Sequence, residues 1–180
     1  MNFPILLARS IPVLLTPQHL ARKHAACRRQ VCYNACVCKD FGRADNFNEK
    51  GEKMTMQERQ EQAALLKREM NCCQAVVRAF ADTVSLDEMT LMNVAAGFGA
   101  GMGTMEGSCG ALVGAIMASS LLSATGEAMK NSRAIMPRFK ELCGGATICR
   151  DLKGIGTGKV LCSCEDCVRN AVRAVGDIFR

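Results

Sequence analysis

The chain has 180 residues, enough for one domain with a proper core and an added segment. Of its net charge of +6, only +1 belongs to residues 54–180, which excludes nucleic-acid binding by that part. Tyr33 is the sole tyrosine and tryptophan is absent, so a base-stacking platform is excluded as well. What stands out instead is sulfur. Twelve cysteines are present, eight of them beyond residue 71, while both histidines, His19 and His24, lie near the start. A site in the later part must therefore run on thiolate, carboxylate, amine and backbone.

Residues 1–53 differ in composition from the rest. They hold no acid before Asp40, and their apolar clusters, Ile5 to Leu7 and Ile11 to Leu15, are broken by Arg9, Ser10 and Pro12. No uninterrupted apolar stretch of a secretory signal is present; an acid-free, Arg-containing start is closer to an organellar transit peptide. We favour a third reading, in which Met54 is the true start and residues 1–53 are a disordered leader or translated upstream sequence. Lys50-Gly51-Glu52-Lys53 can be encoded as a purine run of the kind that precedes a bacterial start codon. Finding residues 1–53 in the intact protein from its native cells would refute it. Cys27, Cys32, Cys36 and Cys38, with His24 nearby, match none of the usual paired zinc-ligand spacings, so we read them as incidental.

From residue 54 the pattern is helical. Leu66, Met70, Cys73, Val77 and Phe80 recur every three or four residues in a stretch without glycine or proline, predicting an amphipathic helix over about residues 55–82. Ser85-Leu86-Asp87-Glu88 has the form of a capping box and starts a second helix, through Met92 and Val94 towards Ala96. A glycine-rich loop follows, from Gly97 through Gly99, Gly101 and Gly103 to Gly107. It gives no G-x-G-x-x-G pattern and no strand precedes it, so a nucleotide loop is set aside.

Residues 107–126 carry no charge at all. Ser119, Ser120, Ser123 and Thr125 crowd the end of that run and no basic flank follows, so it predicts a buried central helix rather than a membrane span. Gly110 and Gly114, one turn apart, would let another helix approach closely, within the chain or across a homodimer. A fourth helix over Glu127 to Leu142 is interrupted or restarted at Pro137 and stopped by Gly144-Gly145. Then come a short turn, Cys149 to Leu152, a loop punctuated by Gly154, Gly156 and Gly158, and a last helix capped by Ser163. Val168, Val172, Val175 and Phe179 form that helix's apolar face. No β-alternation is found, so the fold class is all-α: a compact bundle of four to five helices, with the glycine-rich loop before the central one.

Two features carry chemistry. Cys164-Glu165-Asp166-Cys167 lies in the first turn of the last helix, with Cys162 just before it. Helix starts favour negative charge and so favour thiolates, while Glu165 and Asp166 push the other way. Such a C-x-x-C pair suits disulfide cycling or two bonds to one metal. Cys109 starts the uncharged helix directly after the glycine-rich loop, whose backbone N–H groups can receive anions, including iron–sulfur clusters. Cys73 falls on an apolar stripe and is by default a packing residue; Cys72, about a hundred degrees round, faces elsewhere. Cys143, at a helix end, and Cys149, opening the next turn, each admit a structural reading, and Met89, Met92 and Met117 read as core filler.

Asn71-Cys72-x-Gln74-Ala75-Val76, Phe98-Gly99-x-Gly101-Met102, Cys109-Gly110-Ala111-x-x-Gly114, Cys149-Arg150-x-Leu152 and Cys164-x-x-x-Val168 occur in that order. Together they resemble the C-GCAxxG-C-C family of "putative redox-active" proteins, small cysteine proteins mostly from anaerobic bacteria, over roughly residues 60–178. The resemblance implies Cys72, Cys109, Cys149 and one of Cys164 or Cys167 as the functional set, with Cys73, Cys143 and Cys162 extra to it. A related domain accompanies haem in some cytochromes, where it is credited with an iron–sulfur cluster; no C-x-x-C-H occurs here, so covalent haem is not expected.

The expectation is therefore a cytoplasmic bacterial redox protein in which four cysteines converge. They would hold an iron–sulfur cluster for electron transfer, or Cys164 and Cys167 would cycle as dithiol and disulfide with a redox partner protein or a small thiol. The alternative is a structural zinc module without redox activity, in which the same four thiolates, Cys72, Cys109, Cys149 and one of Cys164 or Cys167, close a tetrahedral site. A secreted disulfide scaffold is disfavoured by the missing signal and the large apolar core.

Overall fold

A computed structural model describes residues 54–179. The readings for residues 1–53, including the Met54 start and the cysteines before it, lie outside the described residues.

Thr55 caps the first helix, α1 (Met56–Leu66), in a capping box with Glu58. The chain then turns instead of continuing, and α2 (Cys72–Arg78) starts afresh. The single helix expected over 55–82 is thus two. The cause is Asn71, whose side chain accepts from the Cys73 and Gln74 amides while Gln74 reaches back to the Asn71 N–H. A reciprocal cap of this kind fixes a helix start wherever it falls. A 3-10 turn, Ala81–Thr83, follows. Buried Arg59 crosses from α1 to this turn, gripping Asp82 with both guanidinium nitrogens and the Ala79 carbonyl with one of them.

Helix α3 (Glu88–Ala96) is capped by Asp87, not by Ser85 as the sequence pattern implied; the Asp87 carboxylate accepts from the Thr90 N–H. Central α4 (Gly110–Leu122) has 13 residues, and no helix among the described residues is long and apolar enough to cross a membrane. It packs against α2, α5 (Ala128–Leu142) and α7 (Cys164–Ile178), while α1 lies along α7 and α3 against α2. Helix α5 runs unbroken through Pro137. The single turn α6 (Cys149–Leu152) completes seven helices among the described residues, which hold no named strand. The fold is all-α.

Gly110 and Gly114 are filled by α2 of the same chain. A Cβ on Gly114 would stand 2.8 Å from the Cys73 carbonyl oxygen and 2.9 Å from the Val76 Cβ, and one on Gly110 would stand 3.4 Å from the Cys72 Cβ. This close approach lays the start of α2 beside the start of α4. Leu112, Ala115, Ile135, Phe139, Val168, Val172 and Val175 are fully buried around α4. Each large apolar side chain buried this way contributes about 1.5–3 kcal/mol relative to exposure. Phe179, expected on the same face of α7, is 40% exposed, because α7 ends at Ile178 and the backbone turns away. Met89 is also exposed, whereas Met92 and Met117 pack against the core as expected.

Candidate functional site

The glycine-rich loop folds back on itself through left-handed residues from Ala100 to Gly103. Gly101 is needed there twice over. Its φ is +58°, and a Cβ would meet the Cys149 Cβ at 2.7 Å. The loop's end pairs with the segment before α6. Cys109 N–H donates to the Thr147 carbonyl (2.8 Å), Cys149 N–H to the Gly107 carbonyl (3.0 Å), and Ser108 and Ile148 form an isolated antiparallel bridge. Two cysteines 40 residues apart in sequence are thereby set side by side, each at the start of a helix.

Cys72 is the first residue of α2, Cys109 the N-cap of α4, Cys149 the first residue of α6 and Cys164 the first of α7. Cys72, Cys109 and Cys149 are buried and Cys164 is half-buried. Electrostatic coupling links Cys72 with Cys164 and with Cys109, and Cys149 with both Cys109 and Cys164. Among the described residues, the cysteines whose sulfurs all lie within 4.8 Å of one another are three others, Cys143, Cys162 and Cys167.

Cys167, the second cysteine of the C-x-x-C pair, stands between Cys109 on one side and Cys143 and Cys162 on the other. Its Sγ lies within 4.8 Å of the Sγ atoms of Cys143 and Cys162, which also lie within that distance of each other. All three are buried. This triad could hold a metal ion. Cys143 is the C-cap of α5, and Cys162 is tied to the end of α6 by its N–H to the Leu152 carbonyl (3.2 Å). The sequence reading treated both as extra to the motif. The signal present was the crowding of Cys162, Cys164 and Cys167 within six residues. Cys73 stands apart, its thiol donating to Met117 Sδ at 3.6 Å in a small apolar cluster with Val77, Leu91 and Ala95.

Lys153, which no sequence pattern singled out as a site residue, sits between the two groups. Its Nζ donates to the Cys162 carbonyl (2.7 Å) and to Cys167 Sγ (3.3 Å). Burial opposes its charge, but the fields of Cys167, Cys164 and Cys109 outweigh burial and raise its pKa. In return it stabilises thiolates. The hydrogen bond from Cys72, helped by Lys153 and Lys67 against burial, lowers the Cys164 pKa to about 5. Cys109 is lowered to about 7 by the Cys167 hydrogen bond, the Ala111 and Leu112 amides and Lys153. Cys162 is lowered well below the ordinary thiol range by hydrogen bonds from Cys143 and Cys167. Cys72 and Cys167, as the donors, are raised. Of the acids expected to counter this, Asp166 does raise Cys162 while also pairing with Ser163 and Arg169, and Glu165 pairs with Arg68.

The buried triad could hold a metal, and the four cysteines at helix starts are thiol donors of the kind that soft metals and iron–sulfur clusters take. The family model described as "Putative redox-active protein (C_GCAxxG_C_C)" matches residues 70–178. The chain belongs to this family. No curated protein and no solved structure matches it. The family is redox-related by description.

Proposed function

We propose that the chain is an electron-transfer protein whose Cys72, Cys109, Cys149 and Cys164 hold an iron–sulfur cluster. What supports this is that each of these four cysteines, from distant points of the chain, stands at a helix start, with electrostatic coupling running between Cys72 and Cys164, Cys72 and Cys109, and Cys149 and both Cys109 and Cys164. When bound, such a cluster supplies one-electron redox chemistry at a potential set by its hydrogen bonds, net charge and burial. The protein's own part is to keep Cys164 and Cys109 available as thiolates, to place the Lys153 ammonium near them, and to exclude water with the α2–α4 packing. A redox partner protein or small electron donor would approach at half-buried Cys164. A bacterial, cytoplasmic setting fits four reduced thiols.

One observation favours a second reading. Cys72 and Cys164 are coupled, the Cys164 pKa lowered to about 5 and that of Cys72 raised, each chiefly by the other. They, rather than Cys164 and Cys167, would be the pair for dithiol/disulfide cycling: the Cys164 thiolate attacks the partner disulfide and Cys72 resolves the mixed disulfide. The pair gives up two electrons and the Cys72 proton, the partner dithiol taking its second proton from solvent. Purification under argon with a visible spectrum separates the readings. The cluster reading predicts brown protein that bleaches on adding dithionite. Colourless protein containing zinc and no iron, even after reconstitution with iron and sulfide, would refute it.

A further inference from the structure

We propose that Cys143, Cys162 and Cys167 form a second metal site, separate from the four motif cysteines and built for one soft divalent cation of the zinc class. This goes beyond the cluster reading and does not depend on it. Three sulfurs no more than 4.8 Å apart have a common centre within about 2.8 Å of each, close to the zinc–sulfur bond length of about 2.3 Å. One ion fits that space after a small contraction. The three come from three elements already locked together: the end of α5, the segment after α6, and the first turn of α7.

Two further contacts suit a metal rather than a packing cluster. Asn170, on α7, donates its Nδ2 to the Leu142 carbonyl (3.0 Å) and to the sulfurs of Cys143 (3.5 Å) and Cys162 (3.8 Å). Such N–H to sulfur bonds orient thiolate ligands and spread their charge. Lys153 places its ammonium 3.3 Å from the third sulfur. Three thiolates, one divalent cation and one ammonium sum to zero, the state a buried site favours; a monovalent cation would leave one negative charge uncompensated. Binding releases the remaining thiol protons to solvent. Cys164, one turn away on the same helix, is not part of the site, because its thiol faces Cys72. Cys109 touches Cys167 from the motif side and marks the boundary.

The test uses the full chain, reduced and stripped of metal under argon, then titrated with cobalt(II) and with zinc. A Cys72→Ser/Cys149→Ser variant is expected to keep one cobalt ion per chain with thiolate charge-transfer absorption, displaced by zinc. Adding Cys143→Ser and Cys162→Ser should abolish that ion. Should the first variant fold poorly by circular dichroism, the wild type is compared directly with Cys143→Ser/Cys162→Ser. The wild type should bind one more zinc per chain, a difference that cancels any binding by residues 1–53. Equal stoichiometry, or loss of the ion in Cys109→Ser, would overturn the proposal. Iron content and brown colour are read separately, so failure here is distinct from failure of the cluster reading.

Discussion

Lys153 Nζ donates to Cys167 Sγ at 3.3 Å, and through this contact one ammonium serves two groups of sulfur. Its field reaches Cys164 and Cys109 on the motif side and Cys162 on the other.

The first prediction follows from that position. In the reduced, metal-free chain, Cys164 is expected to react with iodoacetamide well below neutral pH, with half-maximal rate near its lowered pKa of about 5. The thiolate is the nucleophile, so reactivity rises as pH rises through that value. Lys153→Met removes a positive charge and should move the midpoint upward while leaving the Cys72 hydrogen bond in place. Mass-spectrometric rates at Cys164 measure this; an unchanged midpoint would show that Lys153 does not hold the thiolate.

A second concerns the α2–α4 contact. Gly114→Val forces a side chain against the Cys73 carbonyl and Val76. Overpacking of this kind costs about 1–3 kcal/mol, read by urea unfolding. Because α2 also carries Cys72, bound iron should fall with stability. Full stability and full iron content together would mean that the two helices are not held this closely.

The Asn71 cap gives a third. Asn71→Ala frees the Cys73 and Gln74 amides and also loses the bond to the Ala96 carbonyl. A lost N-cap costs about 1 kcal/mol. Asn71→Asp keeps the acceptor and should recover most of it in the same unfolding experiment.

A fourth prediction tests the brace between α1 and the 3-10 turn. Asp82→Ala leaves the Arg59 guanidinium buried with only the Ala79 carbonyl as a hydrogen-bond partner. Breaking a buried ion pair this way costs about 3 kcal/mol. Thermal unfolding of the variant reads the loss, and a change within the noise would place Arg59 in solvent.

Particular residues show what could be read without coordinates. The charge-free run exposes α4, the Gly144-Gly145 stop bounds α5, and a serine cap with an apolar face exposes α7. Cys109 and Cys164 are legible as helix starts since each follows a loop or a serine cap. The break before α2 is not, because no glycine or proline marks it; only the Asn71 and Gln74 pair does, and that pair sits inside an unbroken apolar rhythm. Asp87 rather than Ser85 caps α3 because both satisfy the pattern and tertiary packing chooses. Lys153 and Asn170 are illegible as site residues: a lysine and an asparagine gain meaning only when the fold places sulfur beside them. Cys143 is in the same position, 19 residues from Cys162 with no spacing to link them.

The most direct test is the iron and acid-labile sulfide bound per chain, measured after anaerobic reconstitution across single serine variants. Cys72→Ser, Cys109→Ser, Cys149→Ser and Cys164→Ser should each lose most of the iron and the visible absorption, while Cys143→Ser and Cys162→Ser keep them. Equal loss across both groups, or retention in the first, would contradict the assignment of the cluster to the four cysteines at the helix starts.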